Sequence, residues 1–131
     1  MTDNNAKRFY WFTHQGVSIL MMDFSHATAA ESLSLMDSFG PSMDAQPADS
    51  VLMLTDVTEA AYDPAISNKW KAIRLKHDDK IHASAIFGLS GLVGVAIRSF
   101  LDLRELLNLS GSRKLRIFKT RDQALAWLVK A

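Results

Sequence analysis

The feature that most constrains the fold is the segment 82–100, along which the spacing of apolar residues changes. The apolar run 83–87 predicts a buried strand, and the glycine-containing segment 88–91 predicts a tight turn. From Leu92 onward the pattern predicts a buried helix, for which Ser90 is the expected N-cap. A strand, a turn and a helix in this order are typical of an α/β sheet.

Length and composition favour one ordinary domain. A chain of 131 residues can bury a core of its own. It has no cysteine, which excludes disulfides, thiol catalysis and cysteine-ligated zinc. No secretory signal is apparent at the N-terminus, and the longest apolar stretch is too short to cross a bilayer. We therefore expect a single cytoplasmic domain over residues 1–131.

Charge is unevenly spread along the chain. Residues 1–65 hold two basic and nine acidic residues, whereas residues 66–131 hold thirteen basic and five acidic ones. The two halves could pair electrostatically within one fold, or the basic half could face an anionic partner.

The start of the chain predicts a β-hairpin. Segments 9–13 and 17–24 are rich in strand-forming residues, and Gln15-Gly16 between them is a turn signal. Alternation puts aromatic side chains on both faces of this hairpin. One face would stay apolar and exposed unless a partner covered it, which motivates a homodimer hypothesis.

The next segment predicts a helix that begins at a capping box formed by Thr28 and Glu31. The pair Gly40-Pro41 is a helix-stop signal. Since residues 40–49 contain two prolines and no periodicity, we expect them to form a loop.

The second half alternates strands and helices. The near-continuous apolar run 50–57 is typical of a central strand. Asp63 is the expected N-cap of the next helix, and Pro64 its first residue. Residues 114–118 alternate polar and apolar side chains, which predicts a strand with one solvated face. A capping signal at Thr120 opens a last helix.

The helix that begins at Pro64 is amphipathic. Ile66, Trp70 and Ile73 line its inner face. Basic residues line much of the rest; these are Lys69, Lys71, Arg74 and Lys76.

In total we expect an α/β fold with a mixed sheet of four to five strands, a hairpin first and parallel strands later, and about four helices packed against it.

Four segments carry a resemblance to a known family. They are Thr55-Asp-Val-Thr-Glu-Ala, Gly88-Leu-Ser-Gly-Leu, Ser110-Gly-Ser-Arg and Phe118-Lys-Thr-Arg-Asp-Gln-Ala-Leu-Ala-Trp-Leu. From about residue 50 the chain resembles small bacterial proteins of the SpoIIAA-like (STAS/Sec14-like) superfamily. The resemblance implies a SpoIIAA-like mixed sheet and a cytosolic protein. Most members of this group have no assigned activity.

Relatives with STAS domains dock protein partners, and some are switched by phosphorylation of a serine where a helix follows a central strand. In this chain Pro64 stands where that serine is expected. Thr58 is the nearby hydroxyl and therefore the candidate phosphosite. Its alternative role is to satisfy a backbone group of the loop.

The turn after strand 83–87 is the best candidate for a ligand site. Backbone N–H groups at a helix N-terminus bind anions, so Gly88, Ser90 and Gly91 could hold one. The dinucleotide fingerprint is not met, because Ser90 occupies the position of its second glycine, and Leu92 excludes a nucleophile elbow. Alternatively, the glycines only permit a tight turn.

A basic surface is the second candidate. Arg113, Lys114 and Arg116 cluster around the last strand and could contact phosphate, an acidic partner or anionic lipid. A charged edge strand also prevents aggregation between sheets, which is the alternative. Without aromatic interleaving or a known nucleic-acid module, nucleic acid is not an expected partner.

The sequence shows no constellation for catalysis or for a metal, since its four histidines lack paired-ligand spacing. We therefore expect a non-enzymatic regulatory or protein-interaction module, without cofactor, that forms a homodimer and docks a protein partner. The alternative is a domain for a small molecule or lipid-like anionic ligand of the Sec14-like type. Its apolar part would lie beside helix 92–109, and its anionic head near Ser90 and Gly91.

Overall fold

The computed structural model describes residues 7–61, 64–88 and 115–131. In this part of the chain five strands form one sheet with three α-helices against it. The strands are β1 (Phe9–His14), β2 (Val17–Asp23), β3 (Val51–Asp56), β4 (Ile81–Phe87) and β5 (Leu115–Phe118), and the helices are α1 (Ala29–Asp44), α2 (Pro64–Lys76) and α3 (Arg121–Leu128). The helix expected over 92–109 lies outside the described residues.

The sheet is mixed, and its strands lie side by side in chain order, from β1 to β5. The β1–β2 pair is antiparallel, and every later pair is parallel. The predicted α/β class, with a hairpin first and parallel strands later, is confirmed. Because β2 to β5 are parallel, their carboxyl ends meet at one end of the sheet, which we call the carboxyl end.

A two-residue turn closes the hairpin of β1 and β2. Gln15 and Gly16 have φ angles of 51° and 78°. Two positive φ angles in succession characterise the type I′ turn, whose twist matches that of the flanking strands. The ladder pairs all six residues of β1 without interruption, from Phe9 opposite Met22 to His14 opposite Val17.

Both faces of the sheet are buried at β2 and β3. Alternation along β2 and β3 sends Leu20 and Met53 into the cluster under α1 and α2, and Ile19 and Leu54 into the cluster under α3. All four side chains are fully buried. A strand covered on both faces needs a near-continuous apolar sequence, which is why β3 was predictable as a central strand.

The start of α1 is the predicted capping box. The Glu31 N–H donates to the Thr28 hydroxyl (3.1 Å), and the Thr28 N–H donates to the Glu31 carboxylate (2.9 Å). Because these hydrogen bonds favour the ionised carboxylate, they hold the pKa of Glu31 below its usual value. The cap therefore fixes where the chain enters the helix.

The predicted end of α1 is wrong. Gly40-Pro41 does not stop the helix, which continues through Pro41 to Asp44. Phe39 and Met43, one turn apart, are fully buried and anchor this last stretch in the core. The His77 ring lies 3.1 Å from the Asp44 carboxylate and holds it against α2. Tertiary packing outweighs the hydrogen bond that a proline removes.

Helix α2 is described from Pro64 to Lys76, and Ile66 lies on its buried face. Asp63, the expected N-cap, lies outside the described residues. Trp70 packs edge-on against Phe24 and Phe39, with ring centroids 6.0 and 5.4 Å away. Arg74 differs from the lysines of this helix, because its side chain is only 1% exposed. The charge pattern alone therefore does not identify the solvated face of α2.

Candidate functional site

Two of the predicted site residues, Gly88 and Thr58, lie together at the carboxyl end of the sheet. Gly88 directly follows β4 and has a φ of 93°. A Cβ at this position would lie 2.7 Å from the Thr58 backbone nitrogen and 3.0 Å from the Asp56 carboxylate. Only glycine allows the chain after β4 to pass so close to the turn after β3.

The Thr58 side chain forms a hydrogen bond within its own turn. Its hydroxyl donates to Asp56 Oδ1 over 2.6 Å, and its backbone N–H donates to the same oxygen over 2.9 Å. The Asp56 carboxylate therefore fixes the turn that follows β3. As a phosphosite, Thr58 remains a prediction.

The turn after β2 repeats this arrangement. The Ser25 hydroxyl and N–H both donate to Asp23 Oδ1, over 2.5 and 2.9 Å. Asp23 lies opposite Asp56 in the parallel ladder, so the two turns are neighbours. Sequence reasoning missed the first of them, although an Asp-x-Ser/Thr triplet directly after an apolar strand is visible in both places.

Each turn continues with a left-handed residue that is not glycine. His26 has a φ of 54° and Glu59 a φ of 51°. Both side chains are exposed, with His26 Nδ1 2.8 Å from the Glu59 carboxylate, and the His26 backbone N–H donates to the Thr58 carbonyl over 2.8 Å. Side-chain and backbone bonds thus join the two turns.

The chemistry available to this pair of turns is limited. Asp23 Oδ1 and Asp56 Oδ1 each accept two hydrogen bonds from their own turn, so neither oxygen is poised as a base. Across the described ranges, no three His, Asp or Glu side chains are grouped as metal ligands. The pair of turns is a rigid, polar surface at the carboxyl end.

Of the predicted basic surface, the structure shows Arg116. This residue is exposed on β5, and its guanidinium lies 5.8 Å from the Trp127 ring centre and 6.0 Å from that of Phe118. These distances are those of a cation–π contact. The predicted site residues outside the described ranges are Ser90, Gly91, Arg113 and Lys114.

The two oppositely charged halves of the sequence meet in the fold. Lys69 on α2 forms a 2.6 Å ion pair with Asp37 on α1 and also donates to the Leu33 carbonyl. The His82 ring lies 3.1 Å from the Asp49 carboxylate. These contacts between the acidic first half and the basic second half of the sequence therefore hold α1, and the loop after it, against the second half of the chain.

The outer strand β1 exposes large aromatic side chains. Tyr10 is 37% exposed and Trp11 is 40% exposed. The segment Phe9–His14 carries no Lys, Arg, Asp or Glu. Within the described residues β1 pairs with β2 alone, so its outer backbone groups face away from the sheet.

A scan of protein-family models, a search of curated proteins and a search of solved structures each gave no match to this chain. None of the helices in the described ranges is long and apolar enough to cross a membrane.

Proposed function

We propose that the protein is a non-enzymatic regulatory or protein-interaction module of the STAS type, with a SpoIIAA-like fold, acting in the cytosol as a homodimer. The observation that carries this proposal is the uncharged edge strand β1, on which Tyr10 and Trp11 are exposed. Exposed aromatic side chains are enriched at the energetically dominant positions of protein interfaces.

The geometry of the carboxyl end agrees with docking. The two Asp-x-Ser/Thr turns offer fixed hydroxyls and backbone groups on a rigid support. Contact residues held by a rigid scaffold lose little entropy on binding. A protein partner could bind this surface without any chemical step.

A second candidate function is binding of a small anionic or lipid-like ligand. It is favoured by the buried guanidinium of Arg74, whose Nε and Nη2 atoms have no hydrogen-bond partner among the described residues. A buried charge of this kind is stabilised by an oxyanion.

Native mass spectrometry of the purified protein at tens of micromolar, followed by denaturing spray as the control, separates the two candidates. A dimer mass without adduct is the result expected from the interaction module. A non-covalent adduct that disappears on denaturation would favour the ligand-binding domain. A monomer mass, confirmed by sedimentation, would contradict the homodimer.

A further inference from the structure

The two edges of the sheet differ in how they resist pairing. Natural edge strands are protected by short length, charges, prolines or bulges. Strand β5 has four residues and exposes Arg116, and Lys119 follows it. Strand β1 has six residues without Lys, Arg, Asp, Glu or Pro, and its ladder with β2 is unbroken. Arg8, which precedes β1, donates to the carbonyls of Asp23 and Ser25. Among the described residues, the β5 edge is therefore protected and the β1 edge is open.

We propose that β1 pairs antiparallel with β1 of a second copy, so that Trp11 lies opposite the partner's Trp11 at the two-fold axis. The two sheets then form one sheet of ten strands. This inference rests on the homodimer of the proposed function and specifies its interface.

Symmetry restricts the register. Directly opposite residues in an antiparallel pair point to the same face of the sheet. A two-fold axis normal to the sheet leaves a given residue on the same face of the sheet in both copies. Because side chains alternate between faces along a strand, two opposite residues must both be odd-numbered or both be even-numbered. An antiparallel β1 pair is therefore centred on a residue, such as Trp11 or Phe12, and never between two residues.

The aromatic side chains select between these two centres. Centring on Trp11 places Tyr10 opposite the partner's Phe12, and the Tyr10 and Phe12 rings of one chain already lie 6.2 Å apart. Four rings then cluster on one face and two indoles meet on the other. Centring on Phe12 instead places Trp11 opposite threonine and Tyr10 opposite histidine. Aromatic cross-strand pairs are the more stabilising set.

The charges of β1 and the symmetry of the β1 pair favour a second copy of this chain as the partner of the edge strand. No like charges meet when the segment Phe9–His14 pairs with itself. Because the pair uses the same edge of both copies, it is isologous and closes. Both outer edges of the ten-stranded sheet are then β5, which is short and charged. Assembly therefore stops at two chains.

A single engineered cysteine tests the register, because the chain has none of its own. In Trp11→Cys the two Cα atoms would lie about 4.5–5.5 Å apart, which suits a disulfide. We expect a covalent dimer on a non-reducing gel after mild oxidation. The matched control is Thr13→Cys, also exposed on β1, whose partner cysteine would lie roughly 13 Å further along the strand.

A charge variant tests the same interface without oxidation. Trp11→Lys places two like charges opposite each other, so we expect the dimer dissociation constant in sedimentation to rise about tenfold or more. Ser18→Lys adds the same charge at an exposed position of β2, away from the edge, and should leave the constant unchanged. Thermal melting followed by circular dichroism confirms that both variants fold.

The outcomes separate the inference from the function it rests on. Efficient linkage through Phe12→Cys but not Trp11→Cys would overturn the Trp11 register. Linkage at none of these positions, with a wild-type dimer in sedimentation, would overturn the β1 interface and leave the homodimer standing. A wild-type monomer in sedimentation would overturn both.

Discussion

Arg74 carries a buried charge that the described residues around it satisfy only in part. Its Nε lies 3.7 Å from Asp78 Oδ1, beyond hydrogen-bond distance. Burial lowers the pKa of the Arg74 guanidinium to about 10, so it remains charged at neutral pH. Removing a cation from water without a full set of acceptors destabilises the folded state.

The double substitution Arg74→Met/Asp78→Ala should therefore stabilise the protein, because it removes both charges of the pair and methionine fills space similar to that of arginine. We expect the free energy of unfolding to rise by about 1–4 kcal/mol, measured by urea denaturation followed by circular dichroism. Lys76→Met, on the exposed part of the same helix, is the control and should change it by less than about 0.5 kcal/mol. A fall in the stability of Arg74→Met/Asp78→Ala would show that the guanidinium has a stabilising partner.

The sequence predicted the conformation of Gly88 but not the burial of Arg74. Gly88 was expected in a turn because glycine tolerates positive φ, and it has one. Arg74 was grouped with its lysines because residue type alone suggested exposure. A signal was present, since Arg74 follows the inward-facing Trp70 by four residues and so shares its side of the helix. Burial of a charge depends on tertiary neighbours that local rules do not include.

Helix α1 shows how packing and local preference compete within one element. A proline inside a helix is about 3 kcal/mol less favourable than alanine, because it removes an N–H donor and crowds the preceding turn. Pro41 occupies such a position, and the helix nevertheless continues to Asp44. The last turn is therefore held by contacts made elsewhere.

Pro41→Ala should stabilise the protein by about 1–2 kcal/mol, because alanine restores the N–H donor and a more flexible unfolded chain offsets only part of the gain. The urea midpoint measures the change. Pro47→Ala, in the exposed segment after the helix, is the matched control and should destabilise by about 0.4–1 kcal/mol. A Pro41→Ala protein less stable than wild type would show that the helix needs the rigidity of proline.

Element starts were more predictable than element ends. The capping box of Thr28 and Glu31 and the proline at position 64 act through neighbouring backbone groups, so the sequence contains all that is needed. The end of α1 depends on Met43 in the core and on the His77 ring, which is distant in sequence. No local pattern encodes that contact.

The sheet couples the two hydrophobic cores that lie on its opposite faces. Alternate residues of β2 and β3 enter opposite clusters, so neither core can be lost while these strands remain intact. Domains of this size with such shared elements unfold in a single transition. The two faces should therefore have the same stability.

Tryptophan fluorescence can report each face separately, since Trp70 packs in the cluster under α1 and α2, and Trp127 in the cluster under α3. Two double variants each keep one of these tryptophans: Trp11→Phe with Trp127→Phe keeps Trp70, and Trp11→Phe with Trp70→Phe keeps Trp127. For each variant we expect the urea midpoint measured by fluorescence to agree with that measured by circular dichroism within about 10–15%. Fluorescence that changes well before circular dichroism in one variant would show that its face unfolds alone.

The sequence predicted the class of the sheet but not its edges. Alternating strands and helices imply parallel pairing, yet they do not say which strands end outermost. That β1 and β5 are the outer strands follows from the pairing of all five. The contrast between an open aromatic edge and a short charged one is thus a property of the assembled sheet.

Strand order that follows chain order has a consequence for synthesis on the ribosome. Each strand joins the exposed side of the one made just before it, so no strand has to be inserted between two others. A nascent chain, which emerges N-terminus first, can therefore extend the sheet one strand at a time. The growing side is always covered by the next strand to emerge, and the aromatic edge of β1 is left for an encounter between finished chains.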